Sequence, residues 1–166
     1  MGRHGSVPAV SVRQASAADA AAISAMLHEA FWEYRPLYTD AGFAATAISA
    51  EQVEQRLSEG PVWVALLGNA MVGTAAVVEK GSDWYIRGMA VIPAARGRHI
   101  GEILLTAIET LAQENNARRL FLSTTPFLDR AIRLYEKSGF RQTDEGPHDL
   151  FGTPLLVMEK LLIPAD

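Results

Sequence analysis

Apolar residues along this chain change their spacing several times, and each change marks an element. Val10-Ser11-Val12-Arg13 alternates with period two and predicts a first strand. From Ile23 the period lengthens, so that Ile23, Met26, Leu27, Ala30 and Phe31 share one face of a helix. Ser16-Ala17-Ala18-Asp19 gives that helix a capping-box start, with aspartate where glutamate or glutamine is usual, and Pro36 stops it. Pro36 to Ser49 has no sustained period and reads as a loop of about a dozen residues, long enough to imply a binding role. Ser49-Ala50-Glu51-Gln52 caps a short second helix that ends near Gly60-Pro61.

Three strands follow, over Val62–Leu67, Met71–Lys80 and Trp84–Ile92. Gly68-Asn69 and Gly81-Ser82-Asp83 lie at their turns, so they form an antiparallel meander. A helix from His99 to Asn116 turns Ile100, Ile103, Leu104, Ala107, Ile108 and Leu111 inward. Arg119–Thr124 is a strand, Leu128–Ser138 a helix, Phe140–Thr143 a strand and Leu155–Leu161 the last strand. The order is β-α-α-β-β-β-α-β-α-β-β, an α/β chain with a mixed sheet flanked by helices. Residues 1–9 read as a frayed polar leader and residues 10–163 as a single domain.

Composition acts mainly by exclusion. The 166 residues are 49% hydrophobic with a formal net charge of −4, so the chain is globular and has no basic field for nucleic acid or anionic membrane. It contains no cysteine, which removes disulfides and thiolate nucleophiles and agrees with a cytoplasmic location. No apolar run reaches the ~18 residues of a membrane span. His4, His28 and His99 are not spaced with other ligands, so no metal is expected.

Against this acidic background, Ala95-Arg96-Gly97-Arg98-His99-Ile100-Gly101 places two arginines among glycines at the mouth of a helix. A P-loop would need lysine and a hydroxyl after its last glycine, but Glu102 and Ile103 stand there. The three glycines of a dinucleotide fingerprint are absent. Two readings remain. One is a plain strand-to-helix turn with solvated arginines. The other is a pyrophosphate cradle, in which unpaired N–H groups at the helix start and nearby positive charge face a ligand together.

The stretch from Met89, Ala90 and Val91 through Arg96, Gly97, Arg98, His99, Ile100 and Gly101 resembles the acetyl-CoA signature of the GNAT N-acetyltransferase superfamily. The core of that signature is Arg/Gln-x-x-Gly-x-Gly/Ala. Arg96 and Gly101 match it, while His99 stands where the middle glycine is most often found and would carry a backbone cost if the turn needs positive φ. About thirty residues on, Ala131-Ile132-Arg133-Leu134-Tyr135-Glu136-Lys137-Ser138-Gly139-Phe140 is similar to the family's Ala-x-x-Leu-Tyr-x-x-x-Gly-Phe element. Leu128 replaces the asparagine common before it.

The resemblance implies the GNAT acyl-CoA N-acyltransferase fold, with a bulged strand before the signature splaying from the next parallel strand. It implies acetyl-CoA as donor, held by the backbone of Met89, Ala90 and Val91, by the loop from Arg96 to Gly101, and beside Ser123 and Thr124. It implies direct attack of a primary amine on the thioester through a tetrahedral intermediate, without an acyl-enzyme, and Tyr135 as the acid that protonates the leaving thiolate. Many relatives carry a glutamate base where this chain has Arg87, which cannot be a base and could bind a carboxylate. Glu33, Asp83, His148, Asp149 or a water chain are the alternatives.

Tyr34, Tyr38, Phe43, Trp84, Arg87 and His148 are the candidate acceptor residues, and a small-molecule amine is the expected partner. A non-catalytic acetyl-CoA-binding regulator and a protein or peptide acetyltransferase stay open beside it. A homodimer is compatible with the family.

Overall fold

Val62, Trp63, Val64 and Ala65 are buried in succession, which needs apolar cover on both faces of their strand. The computed structural model, which describes residues 9–146 and 148–162, provides it. Val62 and Val64 join one core and Trp63 and Ala65 another, across the sheet. The leader lies, but for its last residue, outside the described residues, as does the end of the domain at residue 163.

Among the described residues, eight strands and five α-helices run in the order β1 (Val10–Gln14), α1 (Ala20–Phe31), α2 (Asp40–Thr46), α3 (Ala50–Glu59), β2 (Val62–Leu67), β3 (Ala70–Lys80), β4 (Asp83–Val91), α4 (Ile100–Glu114), β5 (Arg119–Thr124), α5 (Asp129–Lys137), β6 (Arg141–Gln142), β7 (His148–Leu150) and β8 (Thr153–Leu161). The strand order is β1-β2-β3-β4-β5-β8-β6, with β7 paired to the start of β8. Among the described strands only β4 and β5 pair in parallel; every other pair is antiparallel. α4 and α5 cover one face around Leu104, Ile108 and Tyr135, and α1, α2 and α3 cover the other around Leu27, Phe43 and Val53.

Both expected helix caps form. The Ser16 N–H donates to the Asp19 carboxylate at 2.8 Å, and at Ser49 the reciprocal bonds with Gln52 are 2.9 and 3.2 Å. Two expectations fail. Pro36–Ser49 is not a loop: α1 ends already at Phe31, a 3-10 turn over Trp32–Leu37 contains Pro36, and α2 follows. Thr39 caps α2 by accepting from Gly42 N–H at 2.9 Å, while its own N–H donates to Thr153 Oγ1 at 3.0 Å. The expected order also lacks one strand: β7 forms a hairpin with β8 through Phe151-Gly152, where φ is +50° and +92°.

β4 determines where a ligand can enter. Thr74 pairs with Ala90 but Ala76 pairs with Arg87, so β4 carries one extra residue at Gly88-Met89, and Gly88 has φ +62°. Pairing with β5 ends at Ile86–Leu122. Beyond that rung the two strands part.

Candidate functional site

The bulge changes which face each residue of β4 serves. Trp84 and Ile86 pack into the α4-side core, leaving Tyr85 and Arg87 to face a cavity. After Gly88 the alternation is offset by one: Met89 and Val91 pack on the α4 side, and Ala90 joins the α1-side core. The cavity, about 410 Å³, opens where β4 and β5 part, and is bordered by α1, α3, α5 and the β7–β8 hairpin. Its size is that of a small-ligand site.

The donor-side candidates fall into two groups. Met89, Ala90, Val91, Arg96, Ser123, Thr124 and Tyr135 line the cavity. Gly97, Arg98, His99, Ile100 and Gly101 instead form the turn and the first residues of α4. Gly97 and His99 have φ +83° and +59°, so the expected backbone cost at His99 is real. His99 occupies the N-cap position of α4 without a side-chain cap; its Nδ1 lies 2.5 Å from Glu102 Oε2. Ile100 is buried in the core and Arg98 is exposed. Arg96 pairs with Glu33, which Arg130 also approaches at 3.8 Å.

Tyr135 is 6% exposed and sits on the α5 face that packs toward the sheet. Burial, then the nearby Tyr85 and Tyr38, push its hydroxyl well above the ordinary tyrosine range, so it keeps its proton. Across from β4, the Thr124 and Thr125 hydroxyls are buried and, among the described residues, have no hydrogen-bond partner. Unsatisfied buried hydroxyls at the parting of two strands fit a ligand that supplies hydrogen-bonding groups there. Leu128 lines the cavity and stands at the start of α5 without capping it.

On the acceptor side Tyr34, Tyr38 and Arg87 line the cavity. Tyr38 is held edge-on against Phe127, with ring centroids 4.9 Å apart. Three of the acceptor candidates lie away from the cavity. Phe43 is 9% exposed and packs beneath Tyr38 and Trp32 rather than facing the cavity. Trp84 is 3% exposed in the α4-side core, because strand alternation gives the cavity to its neighbour Tyr85. His148 lies exposed on β7 and does not line the cavity, where Leu150 and Leu155 do.

Arg56, Tyr85 and Thr125 also line the cavity. Nothing in the polar α3 sequence singles out Arg56. Tyr85 follows from alternation once Trp84 is known to be core. The candidate bases lie elsewhere: Asp83 binds Arg119, Asp149 accepts Gly152 N–H at 2.7 Å, and Glu33 holds Arg96.

A model of the acetyltransferase (GNAT) family matches residues 24–140. The uncharacterized N-acetyltransferase YhfO of Bacillus subtilis is 26% identical over 151 residues, covering 87% of this chain and 99% of its own. An IAA acetyltransferase of Azospirillum brasilense is 39% identical over 92 residues, covering 54% of this chain and 59% of its own. Among solved structures, PaiA N-acetyltransferase of Thermoplasma acidophilum in complex with coenzyme A superposes with a TM-score of 0.80 at 16% identity, covering 93% of this chain and 99% of that one.

Proposed function

The chain belongs to the GNAT acetyltransferase family, and on that premise we propose that it transfers the acetyl group of acetyl-CoA to the primary amine of a small molecule. The observation that carries this reading is the parting of β4 from β5 at Ile86–Leu122, with Tyr135 and the unpartnered Thr124 and Thr125 hydroxyls beside the opening. Residues 10–163 are the proposed catalytic unit.

In this reading pantetheine lies along β4 as an added strand, hydrogen-bonded by the main chain of Met89, Ala90 and Val91. The pyrophosphate meets the N–H groups from Gly97 to Gly101 and the charge of Arg96. A main-chain N–H of the bulged segment, aimed at the thioester carbonyl, stabilises the oxyanion of a tetrahedral intermediate. The amine attacks directly, since a chain without cysteine lacks the commonest nucleophile for an acyl-enzyme. Tyr135, kept protonated by burial, gives its proton to the departing thiolate. Among the described residues no aspartate, glutamate or histidine lines the cavity, and in this reading water carries off the proton of the amine.

Walls from α1, α3 and the β7–β8 hairpin favour a compact acceptor over an extended peptide. Thiol release from acetyl-CoA, followed with a thiol reagent across small amines and peptides, tests this; the cysteine-free chain adds no background. Small amines are expected to accelerate release. Acceleration by peptides alone, or donor binding with no acceleration by any amine, would overturn the proposal.

A further inference from the structure

The arginines around the cavity divide into two groups. Arg56, Arg87, Arg96 and Arg130 line it. Arg96 and Arg130 both approach Glu33, beside the turn that leads into α4. Arg56, on α3, and Arg87, which pairs with Glu59 of α3, lie instead at the bulge beside Gly88. In the reading above, the donor's phosphates engage the first pair. The second pair lies past the thioester, where the donor has no anionic group.

Local structure holds this second pair in place. Gly88 leaves room for Arg56 to cross the bulge, since a methyl group there would stand 2.4 Å from Arg56 Nη1. Burial, and then the charge of Arg87, disfavour the protonated guanidinium of Arg56. Among the described residues Arg56 has no ion-pair partner; the nearby carboxylate of Glu59 is taken by Arg87. The Nε of Arg87 is buried without a partner. One carboxylate thus stands beside two guanidinium groups, leaving one uncompensated positive charge at the cavity beside Tyr85.

We propose that Arg56 and Arg87 form a carboxylate subsite for the acceptor, so that the substrate is a small molecule carrying both an amine and a carboxylate, of the amino-acid type. This rests on the acetyl-transfer reading. The excess of one positive charge matches a monoanionic carboxylate better than a dianionic phosphate. The planar fork of a guanidinium also suits bidentate carboxylate recognition. Binding energy from the carboxylate, remote from the reacting amine, fixes the amine's position along the cavity.

The test compares amino acids with their primary amides, their decarboxylated amines, and the phosphate-bearing phosphoethanolamine. Direct binding to the full chain is measured by calorimetry in the presence of coenzyme A, and acetylation is measured separately. The acid form of at least one pair is expected to bind about 10- to 100-fold more tightly than its amide. In Arg56→Gln and Arg87→Gln that preference should fall toward unity, with affinity for the amide and for coenzyme A unchanged, which also reports that the variants remain folded. Arg56→Lys should keep part of the preference. Equal binding of acids and amides, or a preference that survives both glutamine variants, overturns the subsite, as does selective binding of phosphoethanolamine. Because binding is read apart from turnover, a carboxylate preference without acetylation would fault the transfer reading and not the subsite.

Discussion

Gly101, in the first turn of α4, lies directly against Leu134 on α5: a methyl group on Gly101 would stand 2.5 Å from Leu134 Cδ2. The two sequence segments that point to the family are therefore physically one unit. The glycine gives the neighbour of Tyr135 its room.

Gly101→Ala gains about 1 kcal/mol of helix propensity but meets Leu134, with an overpacking cost of about 1–3 kcal/mol. Net destabilisation is expected, together with weaker coenzyme A binding. In a Leu134→Ala background the same change should become neutral or stabilising, which a double-mutant cycle by denaturant unfolding measures. A Gly101→Ala protein as stable as wild type would show that the contact is not restrictive.

Tyr135→Phe should lower kcat by roughly 10- to 1,000-fold with little change in donor affinity. Burial raises the hydroxyl above its ordinary value of 10.0, so Tyr135 stays protonated through the alkaline range in which free tyrosine ionises. No alkaline loss of kcat is expected between neutrality and about pH 9.5, where deprotonation of the acceptor amine can only raise the rate. Undiminished turnover by the phenylalanine variant removes Tyr135 from the chemistry.

His99 adopts φ +59°, a left-handed conformation that costs most non-glycine residues about 1–2 kcal/mol. Stability should rank Gly and Asn at this position above Ala, and Ala above Val. Thermal unfolding of the four variants checks the order; a valine variant that melts with the glycine variant would contradict it.

Arg96 lines the cavity and Arg98 is exposed to solvent. Arg96→Ala should weaken coenzyme A binding about tenfold, and Arg98→Ala less than about threefold, as measured by calorimetry. Equal effects would mean that diffuse charge, rather than a specific contact, holds the pyrophosphate.

Asp19 accepts from Arg13 and from the Ser16 N–H, and these bonds lower its carboxyl from 3.8 to about 2. A depressed folded-state value means that the contribution of Asp19 is fully present above about pH 4 and is lost as pH falls toward 2. The stability gap between wild type and Asp19→Asn should therefore close over that window in acid titrations monitored by circular dichroism. A gap constant down to pH 2 would rule out the coupling.

Periodic segments were legible in the sequence. The meander, α1, α4 and α5 follow from apolar spacing, and the turn before α4 from its glycines and arginines. α2 was not, because what makes Asp40–Thr46 helical is tertiary: Thr39 bonds both to Gly42 and to Thr153, far along the chain. β7 escaped because its turn uses Phe151 at a position where asparagine or glycine would have signalled a hairpin. Of the residues that line the cavity, Tyr135, Arg87 and Met89 to Val91 on β4 were readable. The facing of Trp84 and Phe43 was not, since the two cores, and not local pattern, decide which aromatic is interior. Arg56 leaves no trace in a helix of glutamates and glutamines; its position depends on the absence of a side chain at Gly88.

The divergence of β4 from β5 gives the sheet a pair of edges in its middle as well as at its rims. Past Ile86–Leu122, β4 stays paired only to β3, and β5 only to β8. Edges invite foreign strands, and here the surrounding helices limit which strands can reach them. An extended ligand bonded to both edges would splice the β1–β4 half of the sheet to the β5–β8 half. Resistance to heat and to aggregation would then rise with the concentration of that ligand.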